Sequence, residues 1–488
     1  MNSLHQSCLL SARYVAAVIL VATLQGCATF RSYDSELTRT INLAAAGNVD
    51  GAIRQLEGNN SYGKKDLLYY LELGELERLR NRYQESTTAW MTADTQVQAW
   101  EKTALTNPQQ LLGGAGSLLL NDKTLPYRGH DYEKVMLTTR LALGRLARGD
   151  FDTARVDIKR THEREAIIAE LKAKQLQKTE EEARKRGVQT QFKELNGYPV
   201  RTIDNPEVNA LRNSYQSAFS HYLAGFIYEA LGEPSLAAAG YRQAIELQPG
   251  QPALEDALAG LDSRVNVVDD GYTDVLFVVE SGTAPARQSI QLNLPFPYGN
   301  RMLIVPVSFP VIAPAQPSFM PFQLQIRGEA PINTAVITNT DLMARKALQE
   351  DMPGILLRGI IRSSAKAIAQ NEASRRDDSG LAALALAIGS MVTESADERG
   401  WRSLPGQIAI ARARIASGEH TIGFGASPGG QDIRFGVSGR YAVVGLRILG
   451  GTTFAILPQT LPAREMAPKA LENQRIFARS TSSATSTF

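Results

Sequence analysis

One short stretch of the chain places several groups capable of acid–base chemistry side by side. His130, Asp131, Tyr132 and Glu133 supply an imidazole, two carboxylates and a phenol, which are among the side chains that transfer protons in enzymes. His130 with Glu133 could therefore serve a hydrolase. The same residues also suit a turn followed by a helix, because acidic residues favour the first helical turn. We favour this second interpretation and predict no catalytic residue here.

The rest of the chain offers little for catalysis or metal binding. It has five histidines, and no HExxH helix, GxSxG turn or phosphate-binding glycine loop occurs in it. The two cysteines, Cys8 and Cys27, both lie near the N-terminus, so disulfides and cysteine-based zinc sites are excluded from the body of the protein. The sequence therefore predicts no metal site and no cofactor.

Cys27 is the residue whose surroundings predict a definite modification. The apolar run 15–24 follows Arg13 and is about half as long as the roughly 20 residues that span a bilayer, so it predicts a signal peptide over residues 1–26. The order Leu24-Gln25-Gly26-Cys27 resembles a bacterial lipobox, in which the chain is cut before the cysteine and the thiol is acylated, for example with palmitate. The alternative is an ordinary secretory cleavage site with an incidental cysteine.

The lipobox resemblance also implies a location. Ala28 stands where inner-membrane lipoproteins of enterobacterial type often carry Asp, so the resemblance implies an outer-membrane anchor with the protein facing the periplasm. Several acyl chains on Cys27 would attach the protein stably, and residues 27–34 would form the tether. The 52 basic and 50 acidic residues nearly balance, which gives no electrostatic case for binding nucleic acid.

A repeated helical pattern organises the first half of the chain. The segment 221–250 has aromatic and small residues at spacings that resemble a tetratricopeptide repeat, with Tyr222, Gly225 and Tyr241 among them. Weaker copies occur at 41–59, 68–94 and 135–163. Since about three such units bury a continuous core, we predict a TPR-like α-solenoid over residues 35–255.

Two segments interrupt the repeats. Residues 159–187 carry dense alternating charge, which predicts a long solvated helix. Residues 107–134 contain several glycines and are predicted to be partly loop, and insertions in repeat proteins tend to fall on the binding face. The predicted protein-binding residues in this second segment are Tyr127, Arg128, Tyr132 and Lys134. Burial of the two tyrosines between repeats is the alternative.

The second half alternates between apolar and polar residues in short runs separated by Pro and Gly. We predict an antiparallel β-sandwich-like domain over residues 266–460, separable from the solenoid, with edges to which a partner could add a strand. Two late hairpins are predicted to turn at Ser417-Gly418 and at Gly450-Gly451. The overall fold class is therefore a multidomain α + β protein.

Two further segments complete the second half. A helical insertion is predicted at about 340–396; within it, residues 380–393 are almost wholly apolar but too few to cross a bilayer. They are expected to pack under the sheet or, alternatively, to meet a membrane or a partner. Residues 461–488 are predicted to be a disordered tail from their composition.

Four segments in a fixed order resemble one protein family. They are "LPYRGHDYEKVML", "GDFDTARVDIKR", "DVLFVVESGTAP" and "ADERGWRSLPGQIAIARARI". Together, between about residues 35 and 460, they are similar to little-characterised Gram-negative outer-membrane lipoproteins with tetratricopeptide repeats. Genes of that family often lie near lipoproteins that activate penicillin-binding proteins, so the resemblance implies a role in the envelope or in peptidoglycan synthesis. It transfers no catalytic residue.

The expected function is therefore binding. We predict a scaffold for protein–protein interactions in envelope assembly or in the regulation of peptidoglycan synthesis, anchored in the membrane through Cys27. Its expected partners are envelope proteins, including peptidoglycan-synthesis components or other lipoproteins. The alternative is a hydrolase acting on peptidoglycan or on another periplasmic substrate.

Overall fold

The computed structural model describes residues 32–61, 65–107, 122–193, 195–267, 270–298, 301–376, 395–423 and 432–459. The predictions for the signal peptide, for Cys27 and for the apolar segment 380–393 lie outside these residues. The predicted tail and residues 27–31 of the predicted tether lie outside them as well.

Helices make up most of the described first half, as predicted. The described residues contain twelve α-helices: α1 Tyr33–Ala45, α2 Val49–Asn59, α3 Leu67–Leu79, α4 Tyr83–Thr106, α5 Asp131–Leu146, α6 Phe151–Arg186, α7 Pro206–Ala210, α8 Ala218–Ala230, α9 Pro234–Leu247, α10 Pro252–Ala259, α11 Leu261–Val265 and α12 Thr340–Arg376. Eleven of them precede the first strand, and α12 lies within the strand-rich second half.

Four helix pairs coincide with the four repeated segments. The pairs α1/α2, α3/α4, α5/α6 and α8/α9 are each joined by only three or four residues and pack side by side. Every joint contains one residue with a left-handed backbone, which a tight helix-to-helix turn requires: Gly47, Asn81, Gly149 and Gly232. The helical hairpins are thus a structural fact, whereas their stacking as a TPR-type solenoid stays a prediction.

Small residues bring the paired helices close together. A side chain on Gly74 of α3 would place its Cβ 2.2 Å from Nε1 of Trp90 in α4. In the last pair, a Cβ on Gly225 would lie 2.6 Å from the ring of Tyr241. The aromatic rings therefore occupy the space that the missing side chains leave, and burying a large ring stabilises each hairpin by a few kcal/mol, about 3–5 on the scale of Trp→Ala substitutions.

The solvated helix predicted at 159–187 makes up most of a longer helix. α6 begins at Phe151, where the side chain of Asp150 accepts the N–H of Thr153 at 3.0 Å, and it ends at Gly187. Its middle is buried rather than solvated, because Arg164 forms ion pairs with Asp94 at 2.8 Å and with Glu101 at 3.0 Å. The charge pattern of this segment therefore serves packing between helices as well as solubility.

Strands make up the second half. The described strands are β1 Tyr272–Ser281, β2 Arg287–Tyr298, β3 Arg301–Ile312, β4 Gln323–Ile326, β5 Ile332–Asn333, β6 Ala335–Asn339, β7 Gln407–Ala416, β8 Gly418–Gly423, β9 Ile433–Val437, β10 Tyr441–Leu449 and β11 Thr452–Ile456. They form a five-stranded sheet in the order β11-β10-β1-β7-β6, a β2-β3 hairpin and a four-stranded sheet in the order β5-β4-β8-β9.

The strand pairing departs from the antiparallel prediction. β1 and β10 pair parallel from Asp274↔Tyr441 to Ser281↔Ile448, at the centre of the five-stranded sheet. The hairpin at Gly450-Gly451 is confirmed, since β10 and β11 pair antiparallel around it. The hairpin at Ser417-Gly418 is wrong, because β7 pairs with β1 and β6 whereas β8 pairs with β4 and β9. At this turn the chain therefore passes from the five-stranded sheet, which contains β7, to the four-stranded sheet, which contains β8.

The five-stranded sheet is covered on both faces. Side chains of the four-stranded sheet, including Phe435 and Ile326, pack against one face beside Phe277. The helices and the β2-β3 hairpin contribute to the second, larger core, which also contains side chains of β1, β7 and β10. A sheet buried on both faces has little need for alternation, which explains the nearly continuous burial of β1 and β10.

Buried charges also join the helices to the sheet. Glu280 of β1 accepts hydrogen bonds from Arg78 of α3 and Arg140 of α5. Glu229 of α8 accepts hydrogen bonds from Arg412 of β7, one of them at 3.2 Å. The predicted solenoid and the predicted β domain thus share one core in this structure, and their ability to fold separately stays a prediction.

Candidate functional site

Three of the four predicted protein-binding residues, Tyr127, Arg128 and Lys134, line a pocket between the helices and the second half of the chain. The pocket has a volume of about 290 Å³. We call it the arginine pocket, and its lining includes Trp100, Arg128, His130, Lys134, Arg287, Arg358, Arg362 and Arg399 together with Asp122, Asp131, Asp351 and Asp397. The loop before α5, the start of β2 and the middle of α12 therefore meet at one place.

Arg128 and Lys134 both lie over the indole of Trp100. The Lys134 ammonium is 4.2 Å from the ring centroid and the Arg128 guanidinium is 5.4 Å from it. Lys134 is also paired with Asp131 at 2.9 Å. Burial lowers the pKa of Arg128, whose guanidinium has no ion pair with a carboxylate of the described residues. Of the two cations, Arg128 is the one whose charge is available to a ligand.

The two predicted tyrosines are packed inside. Tyr127 is 7% exposed and Tyr132 is 2% exposed. The ring of Tyr127 lies 5.3 Å from the Arg399 guanidinium, and Tyr132 stacks on His130 with 5.8 Å between ring centroids. Both rings are thus packed inside the fold, and of the two only Tyr127 lines the pocket.

Glu133 connects the start of α5 to a distant part of the chain. One carboxylate oxygen accepts the hydroxyl of Tyr127 and the backbone N–H of His130, and the other accepts the N–H of Trp401 at 2.7 Å. Burial, followed by the charge of Glu133, raises the pKa of Tyr127 well above its usual value. With both oxygens occupied inside the protein, Glu133 acts here as a positioning residue.

His130 faces a guanidinium from the other half of the chain. Nη1 of Arg287 lies 3.2 Å from Nε2 and 3.4 Å from Nδ1 of the imidazole. Burial lowers the pKa of His130, and the charge of Arg287 lowers it further. Nε2 of His130 also lies 3.1 Å from the carbonyl oxygen of Arg399. Both effects disfavour the protonated imidazole, which lies beside a permanent positive charge.

The remaining arginines differ in how closely a pocket carboxylate approaches them. Arg399 is held by Asp397 at 2.8 Å and donates to the carbonyl oxygens of Leu125 and Asp122. Arg358 and Arg362 share the single carboxylate of Asp122 at 3.5 and 3.8 Å, which are long distances for ion pairs. Arg399 is thus structural, whereas Arg358 and Arg362 are less firmly engaged with Asp122.

The sequence analysis identified some of the residues that line the pocket but not those contributed by the second half of the chain. Arg128 and Lys134 line it as part of the interrupted repeat. Arg287 was not singled out, although it opens the polar strand RQSIQLNL, and Arg358 was placed only in a helical insertion. No local signal connects these residues, because Arg287 and His130 are 157 positions apart.

A second opening lies beside β7. We call it the β7 groove; it has a volume of about 740 Å³ and lies between α10, β7 and the residues 332–336. β6 pairs with β7 only between Gln407 and Ile410, whereas β1 pairs with β7 along its whole length. Between Ala411 and Ala416, β1 is the one described strand that pairs with β7, and the opposite edge of β7 has no described strand partner. The groove thus runs beside a strand with one open edge.

Comparison of the chain with protein-family models, with curated proteins and with solved structures found no match in any of the three. Within the described ranges, no helix has the length and apolar character needed to cross a membrane. In the same ranges, no group of three or more His, Cys, Asp or Glu side chains could hold a metal ion.

Proposed function

We propose that this protein is a lipid-anchored scaffold of the bacterial cell envelope, held at the outer membrane through Cys27 and binding partner proteins in the periplasm. The observation that carries the binding role is the β7 groove, where an open strand edge borders a large cleft. The lipid anchor and the location rest on the sequence around Cys27.

The open edge of β7 suits an extended peptide. Unpaired backbone N–H and C=O groups on a strand edge can bind another chain as an added strand, with affinity from main-chain hydrogen bonds. Proteins commonly block such edges with charge, bulges or covering loops. Here β6 covers only four residues of a ten-residue strand, and the space beyond it is large enough to hold side chains.

The lining of the groove indicates which peptide would fit. Small and apolar side chains line much of it, among them Ala253 and Ala257 of α10, Ala413 of β7 and Val336 of β6. The arginines at its rim already have carboxylate partners, as in the pair of Arg414 with Asp270. The proposed partner segment is therefore an extended peptide with apolar side chains, taken from an envelope protein.

A photo-crosslinking amino acid at Ala253 tests this proposal in the native envelope. We expect it to capture one partner protein through a short segment that mass spectrometry can map. A synthetic peptide of that segment should bind the purified protein, and Ala413→Trp should abolish binding by filling the groove. Ala416→Trp is the matched control, because Ala416 is exposed at the far end of the same strand, outside the groove lining.

Two results would contradict the scaffold. One is the absence of any crosslinked segment from Ala253; the other is a mapped peptide that binds Ala413→Trp as tightly as the wild type. The anchor is tested separately, since acyl label should incorporate at Cys27 and Cys27→Ser should abolish it. Label elsewhere, or a wild-type protein that fractionates as soluble, would contradict the location.

The hydrolase alternative gains no support from the site. Its two named residues were His130 and Glu133, and both oxygens of Glu133 accept hydrogen bonds from within the protein. Release of fragments from purified sacculi by the wild type, lost in Glu133→Gln with the fold intact, would nevertheless establish it.

A further inference from the structure

We propose that the arginine pocket is a binding site for a small ligand that carries a phosphate group. This site is distinct from the β7 groove and does not depend on the scaffold role. It follows from the placement of Arg287, from the balance of charge in the pocket and from the size of the cavity.

Arg287 is a buried cation whose charge is not neutralised within the described fold. It is 5% exposed, and its Nε has no hydrogen-bond partner. Its Nη1 lies within hydrogen-bond distance of both ring nitrogens of His130, only one of which can accept in a neutral imidazole, and no ion pair joins it to a described carboxylate. A buried charge without a partner is costly, so a guanidinium directed into a cavity favours an anion there.

The surrounding charges favour the same conclusion. Six cationic side chains and four carboxylates are found among the described residues that line the pocket. The lining therefore carries an excess of two positive charges. Two carboxylates, Asp131 and Asp397, are already engaged by Lys134 and Arg399 at 2.8 to 2.9 Å. Arg358 holds Asp122 only at 3.5 Å and can turn toward a ligand at little cost. An anion would therefore meet Arg287, Arg358 and Arg128 together.

The arrangement suits phosphate better than a single carboxylate. The three cations come from β2, α12 and the loop before α5, so their donors approach the cavity from different elements. A phosphate monoester carries about −1.5 to −2 charge and three strong acceptor oxygens, which matches both the excess charge and donors from several directions. A volume of about 290 Å³ is at the low end for ligand pockets, which favours a small ester.

Titration of the full-length protein in detergent with inorganic phosphate and glucose 6-phosphate tests the site. Binding is measured by calorimetry and by tryptophan fluorescence, since Trp100 borders the pocket whereas Trp90 and Trp401 are fully buried. Glucose is the neutral control, and glutarate is a dicarboxylate of similar charge. The variants are Arg287→Gln, Arg358→Gln and, as a matched control, Arg327→Gln, whose side chain is 75% exposed in the turn after β4.

We expect saturable binding of both phosphates that weakens at least about tenfold in Arg287→Gln and Arg358→Gln and is unchanged in Arg327→Gln. Three results would overturn the assignment: no saturable binding up to ~10 mM, binding unaffected by either pocket variant, or glutarate binding as tightly as phosphate. If Arg287→Gln fails to fold, phosphate binding by Arg358→Gln alone decides the assignment. The Arg358 side chain is 20% exposed, so its replacement should leave the fold intact. Preference for glucose 6-phosphate over inorganic phosphate would identify an ester as the ligand.

Discussion

Two clusters of arginine lie inside this protein, and they differ in the space around them. In the first, which we call the Glu280 cluster, Glu280 meets Arg78 and Arg140, and Arg447 lies 3.6 Å from Glu75. All five side chains are at most 3% exposed, and the adjoining cavity is only about 10 Å³. In the second, the arginine pocket, Arg287 meets the imidazole of His130 instead of a carboxylate, beside a cavity of about 290 Å³.

The difference shows that buried arginines can have two roles, one in holding the fold together and one in binding a ligand. In the Glu280 cluster the carboxylates come from α3 and β1, so the ion pairs hold helices against the sheet. Burial alone would raise the pKa of Glu75, but Arg78 and Arg140 outweigh it and lower that pKa to about 2. In the arginine pocket the charge faces open space, which leaves it for a ligand. Four predictions, in order of expected size, can break or sharpen this contrast.

Removing the central carboxylate should have the largest effect. Glu280→Gln leaves Arg78 and Arg140 without their shared partner inside the core, and breaking a buried pair in this way lowers the free energy of unfolding by about 3–5 kcal/mol. Urea denaturation measures it. Asp432→Asn is the control, since its exposed pair with Arg327 is worth at most about 1 kcal/mol. An equal decrease in the free energy of unfolding in the two variants would mean that the Glu280 cluster does not stabilise the fold.

Truncating the two buried tyrosines should have the next largest effect. Tyr127→Ala and Tyr132→Ala each remove a buried ring and should lower the free energy of unfolding by roughly 3 kcal/mol or more. Thermal melts together with partner binding per folded molecule separate the two interpretations of these residues. Tyr272→Ala, at a ring that is 49% exposed, should change stability far less. Lost partner capture at an unchanged melting temperature would restore the tyrosines as exposed anchors.

Glu72 and Glu75 lie three residues apart on α3 and should respond oppositely to pH. Glu72 accepts the backbone N–H groups of Arg402 and Ser403 and, among the described residues, has no arginine ion pair of the kind Glu75 has, and burial raises its pKa to about 7. A raised acid pKa favours the protonated form in the folded state, so its contribution to stability is complete below about pH 4.5 and is lost as the pH rises through about 7. The contribution of Glu75 is instead lost as the pH falls toward 2.

Glu72→Gln should therefore abolish part of the decline in stability between pH 5 and pH 8, about 1–3 kcal/mol. Denaturation at several pH values measures the difference between the variant and the wild type. The control is Glu85→Gln, at a side chain that is 52% exposed. A variant whose stability profile runs parallel to that of the wild type would show that Glu72 does not titrate in this range.

The smallest change in stability is expected at the pocket itself. Arg287→Gln leaves no described carboxylate without a partner, so the free energy of unfolding should change by less than about 1 kcal/mol. Arg78→Gln, which takes a partner from both Glu75 and Glu280, should be several-fold more destabilising. Similar losses for the two variants would make Arg287 a structural residue and remove the contrast between the two clusters.

Local signals made most of the helical first half predictable. The turns at Gly47, Gly149 and Gly232 and the small residues opposite Tyr241 are contained within single repeats, and a helix forms from contacts only a few residues apart. The strand-rich second half followed from alternation, and the β10-β11 hairpin from two adjacent glycines. The segment with Arg128 and Lys134 was found because it breaks the repeat.

The sequence by itself therefore determined the class of each region, the helix pairs and one side of the candidate site. Only the tertiary structure decided that β1 and β10 run parallel, that β7 and β8 belong to different sheets, and that Arg287 faces His130. Propensity and periodicity report contacts between near neighbours along the chain. Strand partners and charges separated by more than a hundred residues are chosen instead by which faces can be buried together, and one sequence does not display that choice.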